Sequence, residues 1–573
     1  MHYGPKPKPV YGNTVVYDKS FAADKITLLP DTLYTAPEGK QLTMTVNGVE
    51  TELKAGEYVG DVRFTVTDDL GGILKANTHP NDPDPQYRAA LYVDESGIVE
   101  SKSVLAAMGG CEYDASGVSA GKLVSEGPLF NGIVVNDCEY EIKNLDVKFT
   151  GRGGDDFNGY GAAIVTAGKS KVHVDGCKIE TWGCIRGAMT AGGESEVLFE
   201  NSTVECHGGT LEEQEITDGM NEVPWVLGLS GNCRSTNLVQ GSKVTYRNCD
   251  MKAYGWGVLS TDAAKGTVLT AEKCRIEVNG PSGYGSYSVG DATNIFTDCT
   301  FIVPDYALVI AEAPGGGAFF HNTMVTSARF GLMWHSHTNP EAAVVDQNSA
   351  FYTGMTTFLF KGCGAKLNVS ESLVKPGNGV ILQMMDSDDA GLFASEFVVC
   401  DNSDPEKDPD FDLCSKHDGD VQASFSKMAV EGSFYNARTG KKMAPAGAPG
   451  QPPAEPAFTG SNLHLEFNEC QVKGVISAAE EHHTNVAPGE AIKEETDRLE
   501  LGQVTNEAKP AVNNGVVVLL MNGSSWTVTG DSYLTGFVLD DKSSLIGTLT
   551  VDGEAVQVEP NKFYTGALKL SAL

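Results

Sequence analysis

Val244-Thr-Tyr-Arg-Asn-Cys-Asp-Met251, Leu269-Thr-Ala-Glu-Lys-Cys-Arg-Ile276 and Asn294-Ile-Phe-Thr-Asp-Cys-Thr-Phe301 are one phrase written three times. Their cysteines, Cys249, Cys274 and Cys299, stand 25 residues apart. The phrase continues with Thr323 and Ser349 in the cysteine's place, occurs earlier around Cys177 and Ser202, and returns around Ser372 and Cys470. A fixed period in the twenties marks a solenoid, in which each repeat stacks on its neighbours. Apolar and polar residues roughly alternate within the phrase, as in Val197, Phe199, Ser202 and Val204, which predicts a strand with one buried face. A second strand follows and usually opens with glycine: Gly161-Ala-Ala-Ile164, Gly187-Ala-Met-Thr190, Gly257-Val-Leu-Ser260, Gly331-Leu-Met-Trp334, Gly379-Val-Ile-Leu382. Strands at this spacing leave no room for a helix. The expected fold is therefore all-β, a parallel β-helix with turns stacked about 4.8 Å apart.

Stacking gathers the small residues into an internal column: Cys177, Ser202, Cys249, Cys274, Cys299, Thr323, Ser349 and Ser372. The chain has 13 cysteines, and those in the column read as free thiols acting as small apolar fillers. A disulfide scaffold belongs to short secreted chains, and metal ligation would need a close pair such as C-x-x-C, which does not occur.

Lys+Arg 42 against Asp+Glu 76 gives a net charge of −34, which argues against nucleic acid or an anionic membrane surface as partner. It also disfavours a polyanionic substrate unless cations or a local basic patch intervene. The longest apolar run, Gly515 to Met521, is too short to span a bilayer. The start, Met1-His-Tyr-Gly-Pro-Lys-Pro-Lys-Pro9, has no apolar h-region. With the free thiols this points to the cytoplasm, or to an exported protein whose numbering begins on a processed form.

The repeat covers part of the chain. Residues 1–100 read as an N-terminal β module, with a hairpin on Asn47-Gly48; residues 101–385 as the helix core; and 386–460 as an acidic and Pro-rich insertion. Residues 461–547 read as further coils interrupted by a polar excursion at 478–509, whose spacing predicts a short exposed helix. Residues 548–573 form a second hairpin module. The two end modules share a Thr-Val-Asn/Asp-Gly turn followed by an aromatic-x-Gly strand, and such modules cover solenoid ends against edge pairing. Smaller insertions lie at Gly151–Tyr160 and between Cys206 and Cys233.

The repeat region resembles the right-handed parallel β-helix superfamily of pectate lyases, polygalacturonases and adhesin passenger domains, over roughly residues 100–550. The resemblance implies fold only, because these families share coils and differ in sites. The polygalacturonase set of Asn-Thr-Asp, Asp-Asp, Gly-His-Gly and Arg-Ile-Lys is not present; Asp155-Asp156 matches its paired aspartates in isolation. The calcium-carboxylate and arginine pattern of pectate lyases is not placed either.

Equivalent positions of adjacent coils lie about 4.8 Å apart. At the exit of the glycine strand the coils offer Asp262, Asp291, Glu312, His335 with His337, Lys361 and Asp386. This is a column in which an acid and a base meet one substrate, or else a solvated turn rich in Asp. Asp155 and Asp156 are reserve candidates. The residue before the glycine strand is aromatic in many coils (Tyr160, Trp256, Tyr284, Tyr306, Phe330), with Arg186 in the same place. That ladder reads either as a platform for sugar or phenolic rings or as an internal stack. No metal site is assigned, since His335 and His337 lack a third ligand. The Asp-rich stretch 401–412 offers carboxylates for Ca²⁺ without EF-hand spacing, and otherwise reads as a solvated acidic loop.

Two functions follow. One is an enzyme acting on a polyhydroxylated ring, free or in an oligosaccharide, by carboxylate/His acid–base chemistry, as a lyase, hydrolase or isomerase. The other is a non-catalytic adhesin or structural solenoid. Both alternating rows of the glycine strands are apolar: Ala162, Val258, Leu308, Leu332 and Phe358 in one, Met189, Leu259, Val309, Met333 and Ile381 in the other. The outward row therefore needs cover, from the N-terminal module, from the 386–459 insertion or from a second subunit; a homo-oligomer is the expectation.

Overall fold

Each repeated phrase bends at its middle. In a computed structural model of the chain, describing residues 12–30, 32–37, 40–68, 72–74, 87–127, 129–154, 156–209, 227–262, 266–311, 316–335, 342–388, 407–438, 460–487 and 497–573, the phrase forms two short strands. Examples are Lys243–Arg247 with Asp250–Ala253 and Ala292–Thr297 with Thr300–Val303. The residue before the small one takes a left-handed conformation, with φ 50° at Asn201, 53° at Asn248 and 55° at Asp298, which Asn and Asp tolerate best among residues with a side chain. Alternation alone does not reveal that corner, so the single strand expected of the phrase is two. The corner side chains then bond between coils. Asn248 Nδ2 donates to Asn201 Oδ1 at 2.8 Å, and Asn201 Nδ2 to Asp175 Oδ1 at 2.8 Å.

Successive coils pair in parallel and in register. Val244 lies opposite Leu269, and Leu269 in turn lies opposite Asn294 of the next coil. The strands on either side of the corner belong to one 26-stranded sheet and the glycine strands to a 16-stranded sheet. The fold is a parallel β-helix. Its core is one continuous apolar cluster with a phenylalanine stack: ring centroids are 4.9 Å apart for Phe296 and Phe320 and 5.4 Å for Phe320 and Phe351.

The column of small residues stands as read. Cys177, Ser202, Cys249, Cys274, Cys299, Thr323 and Ser349 are buried, and Ser372 is half-buried. Its hydroxyls join neighbouring coils: Ser202 Oγ accepts from Cys177 N (3.0 Å), and Ser349 Oγ from Thr323 N (3.0 Å). The described cysteines are free thiols. Burial pushes the Cys177 thiol up to about 11, which suppresses the reactive thiolate.

The glycine-strand sheet has one face in the helix core and one outside it, and chain packs on both. Leu308, Leu332 and Phe358 point into the core, whereas Val309, Met333 and Leu359 pack with Leu227, Leu229, Val486 and Leu501. The assignment of rows from sequence is correct there and wrong at Met189, Leu259 and Ile381, which lie in the core cluster, and at Ala162, which lies in a separate one. Among the described residues this packing comes from the 206–233 insertion, through Leu227 and Leu229, and from the polar excursion, through Val486 and Leu501. The row at Val309, Met333 and Leu359 is thus covered within the chain and does not by itself call for a second subunit. The short helix that the spacing of that excursion predicts falls largely on residues 488–496, outside the described ones. Ile476–His483 is a strand paired antiparallel with Val504–Ala508, next to a 3-10 turn at Arg498–Glu500.

Two further boundaries move. The strand Tyr87–Asp94 already pairs in parallel with Phe130–Asn136, so winding begins before residue 101. Within 386–460, the strands Val421–Ser426, Ala429–Glu431 and Ser433–Asn436 form a coil, the first of them in register between Ala365–Ser370 and Leu463–Asn468. The Pro-rich stretch 444–456 lies outside the described residues. At the C-terminal end, Tyr564–Ser571 runs antiparallel to the last coil strand, Ser532–Leu539, and closes the edge.

Replacing Ser349 by alanine removes the acceptor for the buried Thr323 N–H. The expected cost is about 1–3 kcal/mol, read as a lowered urea midpoint, with Ser349→Cys, a residue the column uses elsewhere, losing less. An unchanged midpoint for Ser349→Ala would show that this inter-coil bond contributes nothing.

Candidate functional site

The outer face of the glycine-strand sheet carries an arginine held between two carboxylates. Arg234 opens the strand after the second insertion, and Asp262 ends the glycine strand of the next coil. Asp156 comes from the first insertion, where Gly153 leaves no room for a side chain, since a Cβ would meet Ile185 O at 2.0 Å. Arg234 Nε donates to Asp156 Oδ2, and its Nη1 to Asp262 Oδ2. All three side chains are largely enclosed, at 8%, 16% and 7% exposure for Arg234, Asp156 and Asp262. Burial pushes the Asp262 carboxyl above its ordinary value; Arg234 opposes this and the Asp156 charge adds to it. Asn237, on the same outward row, donates to Asp156 O at 3.2 Å. Tyr284 closes the group beneath, its hydroxyl 3.0 Å from Ser260 Oγ.

A cleft of about 380 Å³ adjoins this group. Its wall includes Phe157 and Asn158, which directly follow Asp156, and its floor includes Val239, the ladder partner of Asp262. Tyr92, Asn136, Thr190 and Gln240 add aromatic, amide and hydroxyl groups to the lining, and Lys102 and Asp137 add charged ones. Lys102 Nζ stands 4.3 Å from the centroid of the Tyr92 ring. Thr190 links the two parts, because its hydroxyl lies 3.4 Å from Asp156 O.

The column read from sequence is not assembled as expected. Strand register puts Asp262, Val289, Ala311, His335 and Lys361 in one outward rank. Two apolar residues therefore separate Asp262 from His335, which lies three strands on, about 14 Å away. Asp291 sits two residues beyond the rank, in the turn, and Asp386 one residue beyond it, its carboxylate 3.6 Å from Arg438. Titratable residues at the strand exits are not equivalent positions, because alternation sends neighbours along a strand to opposite faces. Glu312, His337 and Asp155 lie outside the described residues.

The aromatic ladder proves to be the internal stack. Tyr160, Tyr284, Tyr306 and Phe330 are buried, with Tyr306 and Phe330 stacked at 5.4 Å, and Trp256 is half-buried against Tyr284. Arg186 is fully buried, and its guanidinium donates to the carbonyls of Gly127 and Phe130, each at 2.8 Å. None of these five ladder positions lines the cleft. The sequence reading missed Arg234 and Asn237. Their signal, an arginine just after the second insertion, has meaning only once Asp156, 78 positions away, is placed beside it.

His335 and Lys361 belong to a second polar group under the 478–509 cover. His335 Nε2 lies 3.2 Å from Tyr287 Oη. Lys361, fully buried, pairs with Asp388 at 2.6 Å; Asp388 also meets His483 Nε2 at 2.9 Å and accepts from Gly502 N at 2.7 Å. This group ties the cover to the sheet. Among the described residues, only His173, Asp175 and Glu200 bring three ligand atoms within 4.8 Å of one another; they lie on the other sheet, where His173 and Glu200 form a 2.9 Å pair. In the described part of the Asp-rich stretch, the Asp408 and Asp412 carboxylates accept backbone N–H groups of their own turns.

No protein-family model, no curated protein and no solved structure matches the chain.

Although burial opposes it, the charges of Lys361 and His483 hold the Asp388 carboxyl well below its ordinary value. A lowered folded pKa contributes stability that is complete above the unfolded value, about 3.9, and is lost as pH falls from there through the folded value. Amide protection in 498–508 should therefore weaken below about pH 4. Asp388→Asn, which breaks the buried ion pair with Lys361, should cost about 3–5 kcal/mol. Unchanged protection at pH 3 would exclude this pairing as the tie.

Proposed function

We propose that the cleft and the carboxylates beside it are the active site of an enzyme acting on a polyhydroxylated ring, free or in an oligosaccharide. The reading rests on one observation: two enclosed carboxylates held by Arg234 at the edge of a cleft lined by aromatic rings, amides and hydroxyls. Rings such as Tyr92 and Phe157 suit the faces of a sugar, and Asn136, Asn158, Thr190 and Gln240 suit its hydroxyls. Asp262, raised by burial, serves as proton donor, and the more exposed Asp156 as the base. Arg234 aligns both and tempers their mutual repulsion. The reaction class is lysis, hydrolysis or isomerisation, each of which requires this paired proton transfer. His335, three strands away, has no part in it.

The test is turnover and binding across neutral and acidic oligosaccharides and free ring polyols. Asp262→Asn should lower turnover of a processed substrate by about 10²-fold or more while binding changes little. Phe157→Ala should weaken binding instead. Wild-type turnover in an Asp156→Asn, Asp262→Asn double variant would rule the pair out as the catalytic groups.

A further inference from the structure

Six strands at the start of the described chain repeat the six at its end. Asn13–Val16, Phe21–Leu28, Thr32–Thr35, Lys40–Val46, Val49–Thr51 and Gly56–Asp68 correspond in order to Ser525–Val528, Ser532–Leu539, Ser544–Ile546, Thr548–Val551, Glu554–Val556 and Tyr564–Ser571. Their pairing agrees residue by residue. Asn13 faces Thr32 as Ser525 faces Ser544. Ala23 faces Val62 as Leu534 faces Leu568; both pairs then slip at the same place, so that Ile26 faces Tyr58 as Phe537 faces Tyr564. Met44 lies between Thr51 and Phe64 as Leu549 lies between Val556 and Leu570. Even the turn agrees: Asn47 and Gly48 have φ 52° and 82°, Asp552 and Gly553 50° and 88°. Asn47 Oδ1 accepts from Asp61 N at 3.0 Å and Asp552 Oδ1 from Ala567 N at 3.2 Å.

The two sets differ in what lies on their first edge. At the C-terminal end, Ser525–Val528 stacks in parallel on Gln471–Gly474, and Ser532–Leu539 on Val516–Met521. They are the last coil, and the following strands are its cap. The matching edges of Asn13–Val16 and Phe21–Leu28 have no strand partner among the described residues, and neither strand pairs with the solenoid. Burial follows. Val528 is 4% exposed and its counterpart Val16 54%. Trp526, Leu534 and Phe537 are buried, whereas Thr14 is exposed and Ala23 and Ile26 are half-buried.

We infer that residues 13–68 are an end coil with its cap, built to close the C-terminal end of a separate parallel β-solenoid that has no end-piece of its own. The repeat identifies the occupant of the open edges, because in the C-terminal set those edges receive the last coil in parallel. Polarity excludes the N-terminal end of a solenoid as that occupant. The C-terminal end of this chain is already closed by 548–571, which excludes a second intact copy.

The edge can be blocked at one residue. Asp540 N donates to Leu520 O and Asn561 N to Leu539 O, so alternation turns the N–H of Val538 toward the preceding coil. Thr27 is its counterpart, and Thr27→Pro removes a donor from the open edge only. A chain ending at Asn522 and carrying Thr27→Pro exposes a coil end while its own module is blocked. Mixed with the full-length protein, it should form a one-to-one complex in sedimentation velocity, and Thr27→Pro in the full-length partner should abolish that complex. No complex, or one indifferent to Thr27→Pro, would overturn the inference, as would self-association of the full-length protein through this edge. Should the shortened chain not fold, a chimera decides, with 525–571 replaced by 13–65. It should keep amide protection in Val516–Met521 at the parent level, and loss of that protection would overturn the equivalence.

Discussion

Backbone hydrogen bonding between coils, repeated about every 4.8 Å, is the constraint on which the rest of this protein depends. A strand in a parallel stack satisfies its N–H and C=O groups through the coils before and after it, so each coil must place like residues over like. The small-residue column is the sharpest consequence. Cys, Ser and Thr interchange there because each fits inside the corner made by a left-handed residue. At Ser202, Thr323 and Ser349 the column hydroxyl also accepts an N–H from the neighbouring coil. The same regularity explains why a chain of net charge −34 holds together along its outer ladders, where opposite charges face each other between coils, as Lys243 does Glu196 and Arg247 does Glu272. Such exposed pairs each contribute little.

The face that carries the candidate site obeys a different logic. Two insertions and the 478–509 excursion lie over the glycine-strand sheet, and each places charged groups that the repeat itself does not have. Asp156 reaches Arg234 and Asp262 from one insertion, while Asp388 and His483 reach Lys361 from beyond the regular coils. Removing water from these groups strengthens their pairing; burial raises the Asp262 carboxyl, whereas at Asp388 the charges of Lys361 and His483 outweigh burial and lower it. One face thus combines a tie that needs no exchange with solvent and a pair that borders an open cleft.

The coil architecture was legible in the sequence because stacking imposes a period, and a period survives substitution. The thiol column, the glycine strands and the kinship of the two end modules could all be read from spacing. The corner within each phrase could not, because Asn248, Lys273 and Asp298 share a backbone conformation and no side-chain chemistry. The site was legible only in fragments. Asp262 and Asp156 were named, but for other partners, since Arg234 joins residues 78 and 28 positions away. Tyr284 and Tyr306 look the same from sequence whether they face a ligand or a neighbouring coil, and the burial that decides between these comes from Leu227 and the 486–504 cover.

That cover also sets an order of events. Coils touch their immediate neighbours and can wind as the chain emerges, whereas Arg329 finds the carbonyls of Leu499 and Leu501 only 170 and 172 residues later. During synthesis at about 5–20 residues per second, the outward apolar row of Val309, Met333 and Leu359 has only Leu227 and Leu229 to pack on it for on the order of ten seconds before Val486 and Leu501 arrive. A nascent chain in that interval presents a broad sticky sheet, and its fate turns on how fast the ribosome delivers the last third of the molecule.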